Sequence, residues 1–534
     1  MAQSSYEVKT YEKRILGSFF TPMEVASSLI QDICNQIKPS NYSEQIKVCD
    51  PFCGDGRLLT WIGRELITRF PDKEIYLEGW DINPESVEIA KKQTSKMSKT
   101  CANISHKIIL GDSFVRGVSP DYRFDIVITN PPWEAVKPDW RELKKYSDDE
   151  ADEIKRQLKE LDTRLAIDFP YSQPSRKFAG WGTNLSRVGL ELSLGLLNNK
   201  GILGIVMPAS FFADLTSQKL RDHMFDKFLL KKATYYPAET HLFDFVDTEF
   251  ATCLVINYPD DNSLDFAIFT DSGILDNGSI SLTRENISLL DGKIPIRFGS
   301  PPYSILDKFS DYVLLNDLSS KETNKIWGGR EIDETRIKEK YTSDDGIPIM
   351  FSRDMERYKI RTQRSQLNQI SIIHETNSSK FPRIIWRDIA RPSMKRRMHA
   401  TLIDKDILTG NSLGVLHFGN EDRKSLLCLL GVMNSFVFEY QVRTKLATNH
   451  ITWGLIKNLR VPSLDILIKH EIHELVERIS DGEDCELTLE SMIAKLYGLD
   501  IKDYSTILES FDKLNENSRE EMRRNFSELN IDGE

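Results

Sequence analysis

The apolar run Asp125-Ile126-Val127-Ile128-Thr129 is closed at once by Asn130-Pro131-Pro132-Trp133, and this junction constrains the chain more than any other stretch. Proline has no amide to donate to a sheet ladder, so a short apolar run ended by a proline pair reads as a buried strand that stops there. A rigid turn then presents Asn130 and Trp133 at a strand's carboxyl end, the edge where open α/β sheets hold their ligands. Asn130 Oδ1 and the Pro131 carbonyl can both accept from an exocyclic amino group, while the indole of Trp133 stacks on the ring that bears it. That describes a planar amine such as adenine. Taken alone, an Asn-Pro turn beside a core Trp would account for the same four residues.

The stretches before it decide between these readings. Ile46 to Asp50 reads as a strand running into Pro51-Phe52-Cys53-Gly54-Asp55-Gly56, followed by a helix from Arg57 to Arg69. Gly54 and Gly56 permit positive φ and let backbone approach a ligand at a helix start. The third glycine of a dinucleotide fingerprint is absent, and Asp50 would repel a pyrophosphate but suits an ammonium. Ile75 to Trp80 is a second strand ending at Asp81-Ile82, where an acid can accept both hydroxyls of a ribose. His106 to Leu110 is a third, closed by Gly111-Asp112-Ser113-Phe114; Asp112 can accept from an adenine amino group, with Phe114 or Ile82 packed on the ring. Any one acid could merely cap a helix, but three at successive strand ends form a pattern.

Upstream, Phe20-Thr21-Pro22 opens a helix expected over Met23 to Ile37, with Thr21 as N-cap and Pro22 at the first helical position. Downstream, Asp139 to Phe169 reads as a solvated helical insertion and Phe178 to Asn198 as an amphipathic helix. Strands at Gly201 to Met207, Leu230 to Tyr236 and Ala251 to Tyr258, with a helix over Phe211 to Phe228, bring the count to seven. Strands alternating with helices predict a mainly parallel, doubly wound sheet.

At 534 residues the chain exceeds one ordinary core. We expect a domain over residues 1–298, a second, mixed α+β domain over 299–463 where the βαβ alternation fades, and a helical, acidic region over 464–534. The composition is that of a soluble globular protein, with no apolar run long enough to span a bilayer and no signal-peptide pattern at the N-terminus, so a cytoplasmic location is expected. Seven scattered cysteines lack metal-ligand or disulfide spacing, so neither a metal nor a disulfide framework is expected. The net charge of -11 argues against nucleic acid on average, yet the second half is locally basic. Arg353, Arg357, Arg361, Arg387, Arg391, Lys395, Arg396 and Arg397 lie among aromatics such as Tyr358 and Trp386, a composition suited to tracking phosphates.

Together these elements resemble the S-adenosylmethionine-dependent, adenine-N6-specific DNA methyltransferases, in the subgroup whose target recognition domain follows the catalytic one. The order carries the resemblance: the Phe-Thr-Pro element, then DPFCGDG, Asp81, GDSF and NPPW, over about residues 15–260. It implies a Rossmann-like seven-stranded methyltransferase sheet with a C-terminal target recognition domain. Phe20 and Thr21 would close the methionine side of the cofactor, with Phe52 and Gly56 in the same pocket. Asp50 would hold the methionine ammonium and Gly54 let that moiety near the backbone. Asp81 would bind the ribose, and Asp112 the adenine, with Ile82 and Phe114 beside it. Asn130, Pro131, Pro132 and Trp133 would hold and stack the target base, with Phe243 or Phe250 as a second wall. In this family the aromatic is more often Tyr, and Ser186 stands where an aromatic is the family's usual choice. Ile326 to Asp333 reads as a loop, and Asn411-Ser412-Leu413, Asn434-Ser435 and Asn449 to Thr452 resemble loops of target-recognition domains in this subgroup. The implied partner is double-stranded DNA, in a restriction or phage-defence system with or without a partner subunit. The alternatives are methylation of another planar amine or amide, in RNA or protein glutamine, and a non-catalytic DNA-binding subunit of the same fold.

Overall fold

The computed structural model describes residues 21–38, 44–119, 121–177, 179–243, 248–258, 263–270, 272–299, 303–320, 324–333, 341–342, 346–370, 377–390, 394–446 and 449–529. The chain divides into two compact units, Met1–Ser300 and Pro301–Glu534. In the first, each apolar run ending at an acid or at the proline pair becomes a strand: β1 (Gln45–Asp50), β2 (Glu74–Asp81), β3 (Ile104–Leu110) and β4 (Phe124–Thr129). They are followed by β5 (Leu197–Pro208), β6 (Leu229–Tyr236), β7 (Phe250–Ile256), β8 (Ser263–Thr270) and β9 (Gly273–Ser281). The sheet order is β3-β2-β1-β4-β5-β7-β6-β8-β9. From β3 to β5 all pairs are parallel, and β7 lies antiparallel between β5 and β6. The chain runs outward from β1 through β2 to β3, then returns to lay β4 on the other side of β1. Strand order thus reverses between β1 and β4, which opens a crevice at their carboxyl ends.

The seven expected strands are all present, and two more, β8 and β9, extend the sheet beyond β6. Their alternating, half-exposed residues do not form the continuous apolar runs that mark the inner strands.

Helices cover the sheet. α1 (Met23–Gln36) buries Val25, Ala26, Leu29, Ile30 and Ile33. It lies so close to β5 that a Cβ on Gly204 would stand 2.5 Å from Ile33 Cδ1. α2 (Arg57–Arg69) starts at Gly56, whose φ of 80° is the left-handed conformation that glycine adopts without strain. α3 (Pro84–Thr100) is capped by Asn83 Oδ1. The insertion forms α4 (Asp148–Asp168), started by a capping box between Ser147 and Glu150. Its anchor is Asp162, whose fully buried carboxylate accepts from Lys159 Nζ at 3.2 Å and Lys177 Nζ at 3.1 Å.

Three boundaries differ from expectation. The helix expected from Phe178 is α5 (Leu185–Gly195), because Asn184 caps it; Phe178 lies outside the described residues. The Phe211 to Phe228 segment is broken into short 3-10 turns before a helix at Gln218–Lys227. Buried Arg221 takes the Phe211 and Asp214 carbonyls that a continuous helix would have used. Thr21 is not the N-cap of α1, a place taken by Pro22; the Thr21 hydroxyl is used elsewhere.

The second unit contains a four-stranded antiparallel sheet in the order Trp327–Gly329, Leu413–His417, Arg383–Arg387, Ala400–Ile403. Helix Arg423–Asn434 is buried from Ser425 onward, and helix Phe436–Lys445 is buried throughout. The division expected at residue 464 does not separate compact units. Helix Ile472–Asp481 packs so closely on Arg423–Asn434 that a Cβ on Gly431 would come within 2.9 Å of Val476 Cγ2. Among the described residues no single helix is long and apolar enough to cross a membrane, and no cluster of His, Cys, Asp and Glu is able to hold a metal ion.

Candidate active site at the carboxyl edge of the sheet

Asp50 ends β1 with 1% of its surface exposed. Its Oδ1 accepts from the Phe52 amide at 3.0 Å and from Thr129 Oγ1 at 2.7 Å. Thr129 is the last residue of β4, so one carboxylate oxygen ties together the strand ends that border the crevice. Oδ2 is equally buried and has no hydrogen-bond partner among the described residues. Burial pushes the carboxyl up to about 7; the Thr129 and Phe52 donors pull it down, while Asp81 and Asp55 push it up. A buried carboxylate oxygen without a donor is satisfied by a cation that brings N–H groups of its own.

The other two acids lie beside it through backbone links. Asp81 Oδ2 accepts from the Gly54 amide at 2.8 Å and Oδ1 from the Asn83 amide at 2.8 Å. The Asp81 carbonyl receives the Gly111 amide at 2.9 Å, which joins the end of β2 to the turn carrying Asp112. Burial raises the Asp81 carboxyl, against the pull of those amide donors. Gly54 has φ 51° and its amide is held by Asp81, so the glycine loop is fixed from the second strand. Asp112 Oδ1 accepts from the Phe114 amide at 2.9 Å. Phe52 and Phe114 face each other with centroids 5.2 Å apart, and Ile82 is exposed at the rim. These residues set acids at three strand ends beside a facing pair of aromatic rings, groups that suit the ammonium, diol and purine of the expected cofactor. Phe20 lies outside the described residues, whereas Thr21 is buried in the site.

At the end of β4, Asn130 Nδ2 donates to Thr21 Oγ1 at 3.3 Å. The hydroxyl read as a helix cap therefore orients the amide at the start of the Asn130-Pro131-Pro132-Trp133 turn. Asn184 Nδ2 donates to the Trp133 carbonyl at 3.2 Å, while Asn184 Oδ1 caps α5 with support from Ser186 Oγ at 2.5 Å. Ser186, an unusual residue for its place, thus reinforces the cap. A Cβ on Gly189 of α5 would come within 2.4 Å of Pro131 Cβ, so the absent side chain lets the helix press on the proline pair. Trp133 is half-buried, with Phe243 edge-on at 5.5 Å and Phe250 at 6.2 Å. Phe250 stacks on Tyr236 at 4.6 Å, and both phenylalanines are buried in the same core cluster, Phe243 from outside the strands.

Sequence reasoning missed Thr129, Asn184, Gly189 and Arg164. A glycine within a helical pattern was a legible flag. Arg164, on the inserted helix, donates to Asp112 Oδ2 at 3.0 Å, and nothing local in the sequence pairs those residues.

In the second unit the expected DNA-binding residues separate sharply. Arg396 is buried: it pairs with Glu439 at 2.8 Å and Glu490 at 3.2 Å and lies 3.8 Å over the Phe436 ring. Arg357 pairs with Glu486 at 3.3 Å and donates to the Asn434 carbonyl. Arg387 donates to the Met355 carbonyl at 2.7 Å, and Arg361 is paired with Glu356. The backbone amide of Arg397 donates to Glu439. The basic composition therefore serves, at Arg357 and Arg396, a buried ionic network built with acids distant in sequence. Arg353 and Lys395 remain exposed, and Arg391 lies outside the described residues.

Residues 6–271 match the family model described as N-6 DNA Methylase. The Type II methyltransferase M.VspI of Vibrio sp. (strain 343) is 26% identical over 206 residues, which cover 38% of this chain and 40% of that protein's length. The fold is like that of DrdV in its DNA complex, with a TM-score of 0.54 and 11% identity over 87% of this chain and 57% of that one. It is also like that of the Type IIL restriction-modification enzyme MmeI in complex with DNA, with a TM-score of 0.53 and 10% identity over 97% of this chain and 80% of that one.

Proposed function

The chain belongs to the N-6 DNA methylase family through residues 6–271, and from that premise we propose that it methylates adenine N6 in double-stranded DNA, using S-adenosylmethionine. One observation carries the reading: Thr21 fixes the Asn130 amide at the end of β4, next to a strand end whose acid, Asp50, has a buried oxygen without a donor.

The residues fit the cofactor. Asp50 Oδ2 would take its ammonium, Asp81 its ribose hydroxyls and Asp112 its adenine amino group, with Phe52 and Phe114 against the ring. When bound, S-adenosylmethionine supplies an electrophilic methyl group on a sulfonium. The protein's part is positioning and electrostatics. An adenine amino nitrogen is a poor nucleophile because its lone pair is delocalised into the ring. Asn130 Oδ1 and the Pro131 carbonyl, accepting its two hydrogens, would localise that lone pair. Thr21 holds Nδ2, so the amide oxygen is the end presented to the base. Gly189 and Asn184 keep the turn against α5. An amino group inside a duplex cannot reach such a turn, so the base must be flipped out at a cost of a few kcal/mol, offset in part by stacking on Trp133. Phe243 would form the second wall.

We assign target recognition to the second unit, since the likeness to the DNA-bound Type IIL restriction-modification enzyme MmeI spans 97% of this chain. A restriction-modification setting is supported by the likeness to MmeI and to the Type II methyltransferase M.VspI. The test is transfer of labelled methyl from S-adenosylmethionine to unmodified genomic DNA, with nucleoside analysis and mapping of sites. N6-methyladenine in one sequence context supports the proposal. Cofactor binding with no transfer to DNA refutes it and directs attention to RNA or protein glutamine.

A further inference from the structure

In the second unit, separate loops meet at one buried carboxylate. Asp388, just past strand Arg383–Arg387, is 2% exposed, and its Oδ2 accepts from Arg330 Nη2 at 2.8 Å and from His450 Nδ1. Its amide donates to the Ser412 carbonyl at 3.0 Å, and its carbonyl accepts the Ile451 amide at 2.7 Å. Asp388 therefore gathers the loops of Arg330, Ser412 and His450, which are far apart in sequence. The guanidinium and the imidazole it holds stay largely open, at 46% and 50% exposure. Asp388 Oδ1 is buried and has no partner among the described residues.

Arg330 is held from three sides. Trp327–Gly329 pairs with His417 to Val415 in the sheet. On the other side Glu331 forms a fully buried ion pair with Arg383 at 2.9 Å and accepts from Thr409. The backbone on each side of Arg330 is thus fixed, while Asp388 fixes the guanidinium. Such an arrangement spends little entropy when the planar fork meets a ligand. Trp327 and Ile389, close by in sequence, are exposed at 45% and 47%, so the spot mixes a guanidinium and an imidazole with apolar groups around a carboxylate. A phosphate clamp would be weakened by that carboxylate; a base edge offers acceptors to the guanidinium and apolar surface to its flanks.

We propose that Arg330, positioned by Asp388 and flanked by His450, reads a guanine edge in the major groove of the target site. This rests on the DNA-methylation reading above. The basic residues first expected to contact DNA include Arg357 and Arg396, which the fold uses internally, and this cluster moves the reading point to a different part of the same unit.

The experiment compares the unaltered full chain with Arg330→Ala and Arg330→Lys on unmodified genomic DNA, with methylated sites mapped and DNA affinity measured against salt. The expected result is methylation that continues but loses discrimination at one position of the site, by about 5- to 150-fold, in both variants, since lysine keeps the charge but not the fork. Asp388→Asn, which leaves Arg330 in place but unpositioned, should relax the same position by less. Uniform weakening in Arg330→Ala with unchanged site preference, a salt slope lower by about one and rescue by lysine would overturn the proposal in favour of a phosphate contact. Unchanged preference and affinity would overturn it outright. Absence of transfer to DNA by the unaltered chain would instead remove the reading on which it rests, so the two failures are distinguishable.

Discussion

Arg164, on the inserted helix α4, donates to Asp112 Oδ2 at 3.0 Å, while Asp112 Oδ1 holds the Phe114 amide. The insertion is therefore joined to the acid assigned to the cofactor's adenine, and Phe169, at the helix end, meets Phe114 edge-on at 6.1 Å. A carboxylate oxygen accepts more than one hydrogen bond, so Arg164 can steady Asp112 and leave it able to accept from an amino group. Both side chains are partly exposed, which limits the pair to about 0.5–1 kcal/mol. Arg164→Gln should weaken S-adenosylmethionine binding about two- to fivefold by calorimetry. In an Asp112→Ala background the same change should have no effect; equal losses in both backgrounds would disconnect the insertion from the pocket.

Asp50 predicts a pH profile. Burial holds its carboxyl near about 7 in the free protein, and a ligand ammonium needs the ionised form. Cofactor affinity should rise about tenfold per pH unit below that value, then level until the ligand amine deprotonates near about pH 8. Asp50→Asn should flatten the acid limb. For stability the sign is opposite to that of a salt-bridged acid. The folded pKa lies above the unfolded one, so the folded state holds the extra proton between about pH 4 and 7 and loses stability as pH rises through that window. Relative to the unaltered protein, Asp50→Asn should gain melting temperature on going from about pH 5 to about pH 8; a constant difference would mean that Asp50 titrates elsewhere.

How far the sequence could be read depended on whether a signal was local. Asp50, Asp81, Asp112 and Asn130 were each marked by an apolar run ending at that residue, because a parallel strand buried on both faces must be apolar and its end must turn. Gly56 was marked because its helix start needs a left-handed residue. Thr21 was assigned the wrong partner: its pattern fits a helix cap, and only the fold brings Asn130 to it across 109 positions. The basic stretch around Arg396 misled for the same reason. Charge density is local, but Glu439 and Glu490, which consume that charge, reach it only through packing of distant helices. Strands β8 and β9 escaped notice because, next to and at the sheet's edge, they are half-exposed and lack continuous apolar runs.

Asn130 and Asp81 should separate by the step they affect. Asn130→Ala removes an acceptor for the target amine and should lower transfer by about 10²- to 10³-fold, the scale of losing one preorganised electrostatic group, with cofactor affinity nearly unchanged. Asp81→Ala also frees the Gly54 amide and should weaken cofactor binding. Single-turnover transfer alongside cofactor titration distinguishes them. An equal loss of cofactor affinity in both would refute the division of roles.

Arg396 predicts a stability effect where the sequence pointed to DNA binding. Its guanidinium is buried between Glu439 and Glu490, and Glu439 also takes Arg443 at 2.8 Å. Although burial pushes the Glu439 carboxyl up, the two guanidiniums more than offset this and hold it at about 2. Its stabilising contribution is thus present above its unfolded value of about 4.3 and lost as pH falls toward about 2. Removing one partner from such a pair leaves an unmatched buried charge and costs about 3–5 kcal/mol. In urea denaturation of the full chain, Arg396→Ala should lower the transition of the Pro301–Glu534 unit by that amount, with cofactor binding in the first unit preserved. Lys395→Ala, one residue away and exposed, should change stability by less than about 0.5 kcal/mol. If Arg396→Ala instead kept its stability and lost DNA affinity with a reduced salt slope, the guanidinium would be acting on phosphate after all, and the buried network around Glu439 would not be what holds this unit together.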